Sequence, residues 1–187
     1  YTTSPSCTNA RPVRDTRIVD AHLLGGLSQG NAFFASTSAI IIGGLTALVS
    51  AGDKVQALIE RLPAVSQTSA IMFEVKLMLM IAILVFAFFK FAWAFRLSHY
   101  AAIMIGATPI LGGDNQDVCL DHARRTARLV GLAGDHANAG IRSYYYAMAA
   151  MAWFIHPLAL VATTLWVMGT MVRRDFFSRS RRLLLLH

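Results

Sequence analysis

The sequence has few charges, and three long stretches have almost none. Asp, Glu, Lys and Arg make up 14% of the 187 residues. Residues 21–52 and 143–172 carry none of the four, and 77–95 carries only Lys90. About 20 apolar residues in a helix cross the hydrocarbon core of a bilayer, and a soluble helix is rarely apolar on every side. These stretches predict an all-α integral membrane helical bundle that has the lipid bilayer as a partner.

Cysteine and catalytic motifs are also scarce. The two cysteines, Cys7 and Cys119, form no CxxC pair and do not accompany a histidine pair with metal-ligand spacing. The chain lacks the GxSxG, Walker, dinucleotide and haem-attachment patterns, and its histidines form no HxxxH or HExxH pair. We therefore expect no enzyme activity, no catalytic residue, no metal site and no cofactor.

The net charge of +7 is carried largely by arginines next to the apolar stretches, such as Arg96, Arg142 and Arg173. Basic residues at these positions favour contacts with lipid headgroups and set membrane topology. No basic patch is interleaved with aromatic residues, so nucleic-acid binding is not expected.

The chain is long enough for a single membrane domain over residues 1–187, with no room for a second globular domain. We predict three transmembrane helices, at about 31–52, 72–97 and 143–172. Between them, amphipathic surface helices are predicted at about 54–62 and 115–130, and Gly131 and Gly134 are expected to end the second.

The third apolar stretch is longer than one span needs. Thirty helical residues measure about 45 Å, whereas two antiparallel spans need roughly 40 residues and a turn. We therefore expect one long helix that is tilted or bent at Pro157, or a helix that begins outside the membrane near 144–146.

Small residues recur every fourth position in the first predicted span, and we call these five residues the small-residue stripe. They are Ala35, Ala39, Gly43, Ala47 and Ala51. Small side chains at this spacing let another helix approach closely, which is how membrane helices associate. The stripe predicts a helix-packing face, although apolar helices are in general rich in Ala and Gly.

Charged residues within a span are suspected functional sites, because burying them in lipid costs several kcal/mol. Lys90 lies inside the second predicted span, where it either reaches the interface or forms a structural ion pair, or else has a transport or catalytic role. Glu74 and Lys76 lie near the entry of that span and are expected to reach headgroups. Glu74 is sixteen residues from Lys90, too far for a pair on one helix.

His156 precedes Pro157 in the third apolar stretch. Pro157 has no N–H, so the carbonyl of Trp153 or Phe154 loses its usual donor. We expect His156 to occupy the polar space that this creates. The functional alternative is a haem or chlorin ligand or a proton relay, which a lone histidine supports only weakly.

Four segments resemble a known family. They are RIVDAHLLGGLSQGNAFFASTSAIIIGGL, FEVKLMLMIAILVFAFFKFAWAFRLSHY, IGATP, and GIRSYYYAMAAMAWFIHP with its RRDF exit. Together they resemble the Domain of Unknown Function 599 family, integral membrane proteins of bacteria and plants. The resemblance implies a further N-terminal hydrophobic helix, so we expect the native chain to begin earlier and to have four spans. It implies no activity, cofactor or catalytic residue.

Three functions fit these residues. The first is a non-catalytic multi-pass protein, of the bacterial inner membrane, that serves as an accessory subunit of a larger complex of respiratory or photosynthetic type. The alternative is a small transporter or channel that works as a homo-oligomer through Lys90 and Glu74. The third is a cofactor-binding membrane protein that uses His156.

Overall fold

The described part of the chain is helical throughout. The computed structural model describes residues 17–52, 69–107, 116–154 and 156–177, which contain four helices and no strand. The helices are α1 (Arg17–Ser50), α2 (Ala70–Gly106), α3 (Gln116–Ala152) and α4 (Pro157–Phe177). The all-α prediction is therefore confirmed, while the surface helix predicted at 54–62 lies outside the described residues.

Two of these helices are long and apolar enough to cross a membrane. They are the stretches His22–Ser50 of α1 and Ile71–Gly106 of α2. The third predicted span differs from the expectation of one bent helix, because α3 ends at Ala152 and α4 begins at Pro157. The apolar part of α4, Pro157–Arg173, is shorter than a typical span.

Helix α3 is longer than the surface helix predicted at 115–130. It continues through Gly131 and Gly134, which we expected to end it. A Cβ atom at either position would meet no heavy atom within 4 Å. Glycine inside a helix costs only about 1 kcal/mol relative to alanine, which a 37-residue helix tolerates.

The chain divides into two compact units, which we describe separately. Unit 1 comprises the described residues of Tyr1–Ser38 and Ala87–Gly140, and unit 2 those of Ala39–Phe86 and Ile141–His187. The core of unit 2 joins one buried residue of α1 to buried side chains of α2 and α3 that lie three or four residues apart on their helices. These are Leu45, Phe73, Leu77, Met80, Leu84, Ala147 and Ala150.

The core of unit 1 depends on small residues of α2. Ala87, Ala94 and Ala101 recur every seventh residue and are fully buried. Phe91 lies among them, is also fully buried, and stacks on Phe34 of α1 with ring centroids 5.1 Å apart. Small side chains at this spacing allow neighbouring backbones to approach closely.

Candidate functional site

The break between α3 and α4 follows from the chemistry of Pro157. Because proline has no N–H, the Trp153 carbonyl four residues earlier receives no helical hydrogen bond from it. At the end of α3 the hydrogen bonds span three residues instead of four. The Trp153 N–H donates to the Ala150 oxygen and the Phe154 N–H to the Met151 oxygen, both at 3.1 Å.

Lys76 of α2 supplies the donor that Pro157 lacks. Its Nζ donates to the Trp153 oxygen at 3.2 Å, across 77 positions of sequence. The side chain is only 4% exposed, so Lys76 does not reach toward headgroups as its position near the span entry had led us to expect. An ammonium group next to a helix C-terminus also interacts favourably with the helix dipole.

Aromatic rings complete the surroundings of this ammonium group. Nζ lies 5.2 Å from the centroid of the Trp153 ring and 5.7 Å from that of Phe154. Phe154 in turn packs edge-on against Phe73 at 5.8 Å. Cation–π attraction contributes about 2 kcal/mol when the cation is desolvated, so the rings offset part of the cost of burying Lys76. We call this arrangement the Lys76 box.

His156 has a structural task at the same break. The Leu158 N–H donates to His156 Nδ1 at 3.1 Å, and the Ala159 N–H donates to the His156 oxygen at 3.0 Å. His156 therefore caps the N-terminus of α4, where the first N–H groups have no helical acceptor. Its side chain is exposed, and Lys76, rather than His156, bonds the carbonyl that Pro157 leaves without a donor.

We expect Lys76→Met to destabilise unit 2. Methionine keeps most of the apolar stem but leaves the Trp153 carbonyl without this donor, which costs about 1–3 kcal/mol and is partly offset because no ammonium is buried. Thermal unfolding in mild detergent measures the change, and Lys76→Arg serves as the control that keeps a donor. A melting temperature equal to that of the wild type would show that the bond contributes nothing.

A second polar contact joins α1 to α2 within unit 1. Ser28 Oγ lies 3.0 Å from His99 Nδ1, and the residues are 71 positions apart. Ser28 is buried, whereas His99 lies at the surface. No sequence signal indicates this pair, because the two residues stand in different apolar helices and form no motif.

The charged residues singled out from the sequence are distributed along α2. Glu74 is exposed in unit 2, and Lys90 is half-buried in unit 1. A transport role for Lys90 and Glu74 stays a prediction.

The small-residue stripe lies mostly at the surface of α1. Ala35 is half-buried, while the other four members are exposed. A Cβ atom added at Gly43 would meet no heavy atom within 4 Å. Within the described residues, the stripe is therefore open to a partner outside the chain. Its packing role stays a prediction.

Among the residues that the structure describes, no three His, Cys, Asp or Glu side chains are grouped so that they could hold a metal ion.

The described residues thus define an all-helical protein with two helices of membrane-spanning length and apolarity. The family model described as "Protein of unknown function, DUF599" matches residues 8–180. The chain belongs to this family, and the resemblance inferred from its four segments is confirmed. Neither the curated proteins nor the solved structures contain a match.

Proposed function

We propose that this chain is a multi-pass integral membrane protein of the bacterial inner membrane. The observation that carries the proposal is the exposure of α1. Only 11% of its most apolar stretch is buried within the chain. Leu23, Phe33 and Ile40 are 64%, 66% and 75% exposed. A core helix of a soluble protein buries such side chains, whereas a helix in a bilayer presents them to lipid or to another protein.

Within the membrane, the protein acts without chemistry of its own, as an accessory subunit that packs against other membrane proteins in a larger complex. The exposed part of the small-residue stripe, from Ala39 to Ala51, supports this role, because membrane helices associate through small residues that let backbones approach closely. Respiratory and photosynthetic assemblies are the kinds of complex that contain such subunits.

Leucine substitutions at two neighbouring glycines test whether the small-residue stripe packs against a partner. Gly43 belongs to it and Gly44 does not, and a Cβ atom at either would meet no heavy atom within 4 Å. We expect Gly43→Leu to dissociate the complex in mild detergent and Gly44→Leu to leave it intact, because only the first fills the close-approach face. The size of the solubilised complex on native gels measures this. Equal behaviour of the two variants would contradict packing through the stripe.

A further inference from the structure

A groove in unit 1 surrounds the Ser28–His99 pair. Its volume is about 360 Å³, within the roughly 300–1,000 Å³ typical of small-molecule sites. Helices α1 and α2 form its walls. The lining includes apolar side chains, among them Leu24 and Phe95, and the polar residues Ser28, Gln29, Ser98 and His99.

Ser28 behaves differently from other hydroxyl residues of these two helices. Thr37, Ser38 and Ser98 each donate to the carbonyl four residues earlier, at 2.9 Å. Such bonds satisfy a hydroxyl within its own helix. Ser28 is paired instead with His99 Nδ1 on the other helix.

The tautomer of His99 depends on which of two partners its Nδ1 bonds. The Phe95 oxygen lies 3.2 Å from the same Nδ1, and a bond to it would require an Nδ1–H donor. Ser28 is closer, at 3.0 Å, and only 6% exposed, so its hydroxyl hydrogen needs a protein acceptor. We therefore assign the bond as Ser28 O–H donating to Nδ1. In this neutral tautomer, Nε2–H remains a donor.

The groove selects against charged ligands. Within the described part of the chain, no Asp, Glu, Lys or Arg lines it, so an ionic group would lose its hydration without gaining a counter-charge there. His99 and Gln29 line it, and with Nδ1 bonded to Ser28, the remaining imidazole N–H and the Gln29 amide are donors that suit an oxygen acceptor. Trp93 and Tyr100, which are half-exposed on the same stretch of α2, are typical of the membrane–water interface.

We propose that this groove binds an uncharged, membrane-soluble molecule through a carbonyl oxygen that accepts a hydrogen bond from His99 Nε2–H. The apolar body of the ligand packs against Leu24 and Phe95, and Ser28 holds the imidazole in the donating tautomer. The inference rests on the proposed membrane location, and it adds a ligand site to a protein otherwise proposed to act by packing alone.

The test is a calorimetric titration of the purified full chain in mild detergent, with a detergent-only blank. The probes are a short-chain benzoquinone, a short-chain diacylglycerol, and an alkylbenzene of matching size that has no carbonyl. Saturable binding of the quinone or the diacylglycerol, but not of the alkylbenzene, is expected, and which of the two binds distinguishes a ring carbonyl from an ester carbonyl. No saturable binding, or equal binding of the alkylbenzene, would overturn the proposal.

Two pairs of variants locate the site. His99→Phe keeps a ring but removes the donor, and we expect it to lower affinity about tenfold, which corresponds to the loss of one hydrogen bond. The exposed His22 lies outside the groove lining, so His22→Phe is the control and should bind like the wild type.

The second pair of variants tests whether the ligand occupies the volume of the groove, rather than whether it accepts a hydrogen bond. Gly25 lines the groove and Gly26 does not, while a Cβ atom at either would meet no heavy atom within 4 Å. Gly25→Leu should therefore fill the groove and lower affinity at least tenfold, and Gly26→Leu should not. Wild-type affinity in His99→Phe or in Gly25→Leu would overturn the proposal.

The membrane location is measured separately by alkaline extraction of wild-type membranes. Protein that resists extraction but binds no probe would overturn the proposed ligand site and leave the proposed membrane location standing. Protein that is extracted would contradict the proposed function.

Discussion

Replacing Ile40 with arginine is expected to keep most copies of α1 from inserting into the membrane. Ile40 is 75% exposed near the middle of the apolar stretch of α1. An arginine at the centre of a membrane helix costs about 2.5–3.5 kcal/mol on insertion scales, which corresponds to roughly a hundredfold change in partitioning. In a soluble protein, the same exposed substitution changes stability by no more than about 0.5 kcal/mol.

The matched control is Val118→Arg. Val118 is 57% exposed on α3 and lies outside both stretches that are apolar enough to span. We expect α1 to insert at the wild-type level in this variant and to be lost from the membrane in Ile40→Arg, as measured by the labelling of a cysteine introduced into α1 with a membrane-impermeant thiol reagent. Equal labelling of the two variants would contradict a place for α1 in the hydrocarbon core.

The second large effect is expected at Gly140, where unit 1 has no space for a side chain. A Cβ atom there would lie 2.7–2.9 Å from three carbons of the Phe91 ring. The ring is fully buried and stacked on Phe34, so it has little room to move away. Overpacking of this kind typically costs about 1–3 kcal/mol, so Gly140→Ala should lower the melting temperature in mild detergent.

Gly134→Ala is the control on the same helix. A Cβ atom at Gly134 would meet no heavy atom within 4 Å, so alanine should stabilise α3 by up to about 1 kcal/mol through helix propensity. Phe91→Leu should partly rescue Gly140→Ala, because a shorter side chain removes the collision. Additive effects of the Gly140 and Phe91 substitutions would show that the two residues do not interact.

The helical architecture could be predicted from the apolar stretches because their length and lack of charge are unambiguous. The face of α2 that is buried in the core could not be predicted from the sequence. That helix is apolar on nearly every side, so its sequence gives no contrast between the core face and the exposed face. The heptad of Ala87, Ala94 and Ala101 was missed for this reason, whereas the more conspicuous stripe on α1 lies mostly at the surface of the chain.

The site at Pro157 was predicted only in part. Proline chemistry correctly indicated a carbonyl without its helical donor, and Trp153 was one of the two candidates. The donor is Lys76, 77 positions away, and no local pattern indicates a contact at that distance. Lys76 stands near a span entry, where long basic side chains usually reach the headgroups, so the sequence favoured the wrong environment.

The Ser28–His99 pair shows the same limit. The two residues are 71 positions apart in different helices, and only the packing of α1 against α2 within unit 1 brings them to 3.0 Å. The family match adds no site to this, because its description assigns no function.

The central claim is that this protein works by packing against other membrane subunits. The most direct measurement is purification from its native membranes in mild detergent, followed by mass spectrometry of the intact complex. We predict that the chain elutes in a fixed ratio with other integral membrane proteins. A chain that elutes by itself would contradict the claim, and if it does so as a homo-oligomer, the transport alternative and Lys90 would be tested next.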